Sequence, residues 1–399
     1  MSVRKRTWKT AAGEERQAWI VDYADQAGKR RMKTFRLKKE ADAFETRSRF
    51  EITQGTHTPD SASITIAEAA DLWIETCAGR RLERSTIDSY RQHIKFHIRS
   101  FIGKIKLSQV TPPLVREFED RLRRGDPAPG EAVGAARSHA MVRKITGSLG
   151  ALMADAQERG LVARNVVREL RSRRQKGADS RADRRQNGHL KVGADIPTRQ
   201  EIKAIVDRLQ GRWRPIILTA IFTGLRSSEL RGLRWADIDF KSNELHVRQR
   251  VDQYREFGAP KSESGERTIP LPPLVANTLK EWKLACPKGE PGLVFPTGKG
   301  SPENHANLIT RGLIPACIAA GVTKPDGKAK YTGVHALRHF YASWCINSKD
   351  DGGLGLSAKV AQARLGHSTI AMTLDTYGHL FPRGDDGSEL AAAEKSLLG

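Results

Sequence analysis

His335-Ala336-Leu337-Arg338-His339, then Leu365-Gly366-His367 and finally Tyr377, is the stretch from which the rest of this 399-residue chain can be read. His335 and Arg338 stand three apart on a segment of helical period, so they share a face. Upstream, Thr223-Gly224-Leu225-Arg226-Ser227-Ser228-Glu229-Leu230 supplies Arg226 just past a glycine helix stop, on a turn into a short helix from Ser227. Two guanidiniums can hold the non-bridging oxygens of one phosphate and offset charge that grows in the transition state. A tyrosine hydroxyl is a nucleophile toward phosphorus, but its ordinary pKa of about 10 demands proton removal in a positive setting. His335 is the expected proton acceptor and His367 the expected hydrogen-bond donor to a phosphate oxygen. A departing 5′ oxygen needs a general acid, and Lys261, in the loop Ala259-Pro260-Lys261-Ser262-Glu263-Ser264-Gly265, is suited to that role. Spacing alone also fits packed histidines and a core tyrosine. Ala336 stands where a zinc-protease helix has its glutamate, so no metal site is expected.

The composition agrees with a polyanionic partner. There are 68 Lys+Arg against 46 Asp+Glu, a formal net charge of +22, and neutralising phosphates releases condensed counterions. An anionic membrane is the other candidate surface. No apolar run approaches the roughly 18 residues of a membrane span, and no apolar h-region follows Met1-Ser2-Val3-Arg4-Lys5-Arg6, so a cytoplasmic protein is expected. The scattered Cys77, Cys286, Cys317 and Cys345 form no C-x-x-C and indicate neither a disulfide framework nor a zinc site.

The length predicts two or three domains. Residues 1–59 read as a small α+β module with three strands, near 3–9, 19–23 and 30–37, and a helix from Lys38 carrying Ala41, Phe44, Ser48 and Ile52 inward. Its second hairpin crowds Lys29, Arg30, Arg31 and Lys33, candidate DNA contacts because a two-stranded ribbon can enter a major groove. Residues 62–170 read as four amphipathic helices, the first opened by the capping box Thr65-Ile66-Ala67-Glu68 and the third by Pro112. Residues 171–194 read as a basic linker. Between Arg171 and Lys191 lie 8 Lys+Arg against two Asp and almost no large apolar side chain. Arg173, Arg174, Arg184 and Arg185 are its candidate phosphate contacts. A second capping box, Thr198-Arg199-Gln200-Glu201, opens a mainly helical domain over 195–385 with strands near 244–251 and 266–271. Residues 386–399 form a tail. The fold class expected is mainly α and multi-domain, with a small three-stranded sheet at the N-terminus and a second small sheet in the last domain.

Three blocks of the last domain resemble the tyrosine recombinase, or phage integrase, family. They are Thr223 to Leu230 with Leu233, Trp235, Asp237, Ile238 and Asp239; His335-x-Leu337-Arg338-His339; and Leu365-Gly366-His367-Ser368 with Thr373, Tyr377 and His379. The resemblance implies Arg226, Lys261, His335, Arg338 and His367 as the activating set and Tyr377 as nucleophile. Lys261 is carried by Pro-Lys-x-x-x-Gly-x-Arg-Thr-Ile-Pro-Leu, residues 260–271, which looks like the family's β-hairpin lysine. The resemblance also implies a helical core-binding domain over 62–170 and an arm-type DNA-binding module over 1–59. It implies attack on duplex DNA, giving a 3′-phosphotyrosyl ester and a free 5′ hydroxyl. The ester conserves the bond energy, so no cofactor, ATP or metal is expected. Strand exchange through a Holliday junction implies a homotetramer in the synapse. Core and arm-type attachment sites are the expected DNA partners, with an excision factor and a DNA-bending host protein as further partners of the family.

Two features depart from the family pattern. The linker is longer and more basic, and the loop 348–357 is long, with two aspartates and three glycines. Neither touches the six-residue set. A relaxing topoisomerase of the same chemistry, a Xer-type resolvase and a non-catalytic DNA-binding protein remain open readings. The Xer type normally lacks a module like 1–59.

Overall fold

The computed structural model describes residues 1–10, 14–25, 28–53, 59, 63–130, 133–174, 190–381 and 388–398. It divides into two compact units, Met1–Gln186 and Asn187–Gly399. Among the described residues no helix is long and apolar enough to cross a membrane.

The first unit begins with an antiparallel sheet in the order β1 (Ser2–Lys9), β2 (Glu15–Ala24), β3 (Arg30–Phe35), followed by the helix Lys38–Thr53. Alternation decides what faces that helix. Val3, Val21 and Lys33 are in register, and Val21, Tyr23, Ala41 and Phe44 form a small core with Trp19, Phe35 and Ile52 against it. This matches the pattern expected for 1–59.

A second core in this unit is helical. Ile66–Gly79 starts at the expected capping box: Thr65 Oγ1 accepts from Glu68 N at 3.2 Å, and Glu68 Oε2 accepts from Thr65 N at 2.7 Å. The next helix runs from Arg84 through a π turn, Ile94–Ile98, to Ile102. Pro112–Arg124 begins at its proline, with Thr111 as N-cap, and His139–Glu158 follows. Trp73, Phe118, Ile145, Leu149 and Leu152 fill the centre.

A fifth helix, Val166–Arg174, was not expected. The sequence reading began the linker at Arg171, yet the helix continues to Arg174. Its start is fixed: Val167 is fully buried, Asn165 donates to Gly150 O at 2.7 Å, and Asn165 accepts from Arg168 N at 3.1 Å. Two anchoring valines and a cap outweigh the basic composition.

The second unit surrounds the helix Trp213–Thr223, which is apolar on nearly every side. The helix Arg199–Arg208 starts at its capping box, with Thr198 and Glu201 exchanging bonds of 2.8 and 3.1 Å. The strand expected over 244–251 splits. β5 (Glu244–Val247) lies between β4 (Ile238–Asp239) and β8 (Arg267–Pro270), whereas β6 (Arg250–Val251) pairs with β7 (Phe257–Gly258). Gln249 lies at the break, and its side-chain Nε2 donates to Gly232 O at 2.8 Å.

The helical stretch 305–319 contains a π turn, Leu308–Leu313, just before Pro315. Proline offers no N–H to the preceding turn, and a wider turn accommodates that loss. The loop 348–357 is ordered by its own bonds. Ser348 Oγ donates to Asp351 at 2.7 Å, and Leu354 and Leu356 N–H groups donate to Trp344 and Cys345 carbonyls at 2.8 Å. All four cysteines are buried free thiols.

Candidate active site

Glycine closes two helices at the site. Gly224 ends Trp213–Thr223 in the left-handed conformation (φ 60°), and a Cβ there would lie 2.3 Å from Tyr341 Cδ1. The chain therefore runs hard against the helix His335–Ile346. Gly366 ends Ala358–Leu365 in the same way (φ 65°).

The end of Ala358–Leu365 gathers three arginines. Its Arg364 carbonyl accepts from Arg267 Nε at 2.9 Å, Leu365 O from Arg338 Nη2 at 2.6 Å, and Gly366 O from Arg226 Nη2 at 2.9 Å. These are the carbonyls a helix leaves without partners, at the negative end of its dipole. Arg338 Nη1 also donates to Gly224 O at 2.6 Å, so one buried guanidinium joins the two glycine turns.

Glu229 completes the frame from one turn inside the helix Ser227–Gly232. It accepts from Arg226 N at 2.9 Å and Arg226 Nη1 at 2.8 Å, and from Arg267 Nη2 at 2.8 Å. Burial raises the Glu229 carboxyl, but Arg267 and Arg226 outweigh it and hold the pKa below its ordinary 4.5. Neither Glu229 nor Arg267 was given a role from sequence. The available signal was weak: Arg226-x-x-Glu229 has helix-start spacing, and Arg267 lies inside the lysine-bearing motif.

Glu229→Gln is expected to lower the stability of this unit by about 3 kcal/mol, because removing one partner leaves buried arginine charge uncompensated. The folded pKa is depressed, so this stabilisation is present above about pH 4.5 and is lost as pH falls through the folded value. Urea midpoints measured from pH 7 down to 3 should show a gap between wild type and variant that closes in acid.

The nucleophile candidate sits at the end of the helix Ile370–Tyr377. Its ring is 2% exposed and lies parallel to the His367 ring, 3° between planes and 6.4 Å between centroids. His367 Nδ1 is 2.9 Å from Thr373 Oγ1. The Tyr377 hydroxyl is 2.7 Å from Nδ1 of His339, whereas the expected proton acceptor is His335. The His335 and His339 rings meet edge to face at 4.6 Å.

Electrostatics follow from burial in a cationic cluster. Desolvation, with Arg338 and Arg226 beside it, lowers His335. Burial with nearby arginines pushes His367 down to about 4, and burial with His335 and Arg338 pushes His339 down to about 4. Burial pushes the Tyr377 phenol up to about 12 against the pull of Arg338. Arg338 falls to about 10 through burial and Arg226, and stays charged at neutral pH. The site therefore presents guanidinium charge, neutral imidazoles and a protonated phenol.

Five of the six sequence-derived residues, Arg226, His335, Arg338, His367 and Tyr377, are thus tied into one cluster. Lys261 is exposed on the loop between β7 and β8, six residues before Arg267. Among the described residues no group of three or more His, Cys, Asp or Glu side chains could hold a metal ion.

The candidate DNA contacts on the N-terminal hairpin do not form one basic face. Arg30 Nε donates to Asp22 at 2.9 Å, and Arg31 Nε to Asp25 at 2.8 Å. The Lys33 ammonium lies 4.5 Å from the Phe44 ring centre, on the helix side of the sheet. Lys29 is exposed, and its N–H donates to Asp25 Oδ1 at 2.9 Å. The side chains of Arg173 and Arg174, and all of Arg184 and Arg185, lie outside the described residues.

Residues 197–383 match the profile described as the phage integrase family, and residues 65–123 match the phage integrase N-terminal SAM-like domain. Together the two matches span more than half of the chain. The chain belongs to the phage integrase family. It is a tyrosine recombinase, a DNA strand transferase. It is 25% identical over 389 residues to a tyrosine recombinase XerC-like protein of Caldanaerobacter subterraneus subsp. tengcongensis, spanning 90% of each chain. It is also 25% identical to the integrase of Mycobacterium phage L5, spanning 93% of each. Among solved structures, the fold resembles the Tn1549 transposon integrase in complex with a circular intermediate DNA. The TM-score is 0.61 at 20% identity, covering 84% of this chain and all of that one. A lambda integrase dimer bound to a COC′ core site gives 0.55 at 19% identity, covering 96% of this chain and 95% of that one.

Proposed function

We propose that this recombinase integrates or excises a mobile element by cutting and rejoining duplex DNA through a 3′-phosphotyrosyl ester on Tyr377. The observation that carries the reading is Tyr377, buried in one cluster with His367 and with two guanidiniums fixed to the end of the helix Ala358–Leu365. Arg226 and Arg338 bind the non-bridging oxygens of the scissile phosphate. Fixed donors of this kind need no reorganisation as charge grows. His335 and His367 line the same phosphate site. The 5′ oxygen leaves with a proton from Lys261, whose exposed loop can close on bound DNA.

Residues 62–170 and 195–385 act as the core-binding and catalytic domains on either side of the core site. Residues 1–59 bind arm-type sites, with Lys29 and Arg30 outermost. The linker 171–194 tracks the backbone through Arg173, Arg174, Arg184 and Arg185, and the tail 386–399 docks on a neighbouring subunit. Support for a tetrameric synapse comes from the lambda integrase tetramer bound to a Holliday junction, a fold relative at TM-score 0.53 and 19% identity. An excision factor and a DNA-bending host protein complete the partners, and the protein works in the cytoplasm.

A resolvase reading has one observation in its favour, the XerC-like relative aligned over 90% of each chain. Incubation with supercoiled plasmids carrying the element's attachment sites separates the readings. Integration between two different sites is expected. Recombination confined to two identical sites would favour the resolvase, and relaxation without recombination would favour a topoisomerase.

A further inference from the structure

Among the described residues, the histidine within hydrogen-bond reach of the Tyr377 hydroxyl is not the one that the motif suggests. His339 lies one helical turn beyond His335, and its Nδ1 is 2.7 Å from the Tyr377 hydroxyl. That contact is inside hydrogen-bond reach for proton transfer. His335 lies near Arg338 and Arg226, the two guanidiniums proposed above to bind the phosphate.

The charged and titratable groups facing His339 are His335 and Arg338 from its own helix, Asp195 from the segment before Arg199, and Tyr377 from the nucleophile helix. Burial and the cationic surroundings keep its ring neutral, and in the tautomer with the proton on Nε2 the Nδ1 lone pair accepts from the phenol. A neutral phenol buried at 2% exposure cannot lose its proton to bulk water unaided.

We propose that His339 is a further catalytic residue, the base that takes the Tyr377 proton as the phenolic oxygen attacks and returns it when the ester is resolved. This rests on the strand-transfer reading above. The Tyr377 Oη–phosphorus bond forms as the phosphorus–O5′ bond breaks. The phenolic proton passes to His339 Nδ1, and the departing 5′ oxygen takes a proton from Lys261. In rejoining, both protons travel back, so no co-reactant is consumed. A free imidazole in this pocket is a weak base. Two changes on DNA binding favour the transfer: the phosphate's negative charge offsets Arg338, and the phenol becomes acidic as its oxygen bonds to phosphorus.

The test uses the full-length protein and a nicked suicide duplex carrying the element's junction sequence, with single-turnover formation of covalent adduct as readout. Duplex affinity is measured alongside to confirm folding. His339→Ala is expected to cleave ~10²-fold more slowly at neutral pH, the scale of a lost general base. Its rate should rise steeply with pH where the wild type is nearly flat. A fluorinated tyrosine of lower phenol pKa at position 377 should restore most of the rate in His339→Ala and change the wild type little. His339→Asn, whose amide oxygen can take the hydrogen bond but not the proton, should stay slow. The proposal is overturned by wild-type rates in His339→Asn, or by a loss in His339→Ala that neither pH nor the fluorinated tyrosine relieves. Adduct formation by wild type and His339→Ala at equal rates overturns this proposal alone. No adduct with wild type overturns the strand-transfer reading and this proposal with it.

Discussion

Tyr377→Phe is expected to bind duplex DNA as the wild type does and to form no covalent adduct. The ring is buried and stacked on His367, and phenylalanine fills the same volume in the same rotamer. What is lost is the oxygen and its bond to His339 Nδ1. One such bond contributes about 1 kcal/mol net, so the fold survives with a small fall in unfolding midpoint. The chemistry has no such tolerance, because the nucleophile itself is gone. Denaturing gels of protein incubated with the nicked suicide duplex, beside a mobility-shift titration, separate the two effects. Adduct from the variant would mean that another residue attacks.

Arg338→Ala is expected to lose both cleavage and stability. The guanidinium is 2% exposed and holds the Gly224 and Leu365 carbonyls at 2.6 Å each. Removing it takes away a proposed phosphate donor, an expected loss of roughly 10²–10³-fold in cleavage. It also leaves two buried acceptors unsatisfied, at about 1–3 kcal/mol each. The turns at Gly224 and Gly366 should loosen together. Arg338→Lys keeps the charge, but a single ammonium cannot reproduce the planar fork between two carbonyls. Cleavage should therefore stay low in the lysine variant. Arg226→Ala is the useful contrast. Its side chain is 32% exposed and, among the described residues, bonds to Gly366 O and Glu229, so the cleavage loss should come with a smaller stability loss. Single-turnover rates and urea midpoints on the same preparations test the pair. Equal stability losses would show that Arg338 is not the brace its bonds suggest.

Much of this was legible in the sequence where the signal is local. Both capping boxes, at Thr65 and Thr198, open helices where they stand. Pro112 begins its helix. Each depends on residues within one turn of each other. The fifth helix of the helical core and the split of the strand at Gln249 depend on tertiary anchors, which periodicity cannot see, and the π turn before Pro315 keeps the helical period on either side of it.

The site divides along the same line. The residue types and their order mark Arg226, His335, Arg338, His367 and Tyr377. They do not say that the last carbonyls of one helix bind three arginines, because Arg267, Arg338 and Arg226 come from separate elements. Nor does spacing distinguish His335 from His339. Both lie on one helix, and only the packing of Ile370–Tyr377 decides which meets the phenol. On the N-terminal hairpin, charge density was visible, but strand alternation and the carboxylates of Asp22 and Asp25 divide that charge between two faces and internal ion pairs.

The most direct test of the central claim is to trap wild-type protein on the nicked suicide duplex, digest the adduct and locate the nucleotide by mass spectrometry. The expected result is a 3′-phosphate esterified to Tyr377 on the peptide containing Thr373 to His379. A nucleotide on any other residue, or a linkage through a 5′-phosphate, would contradict it.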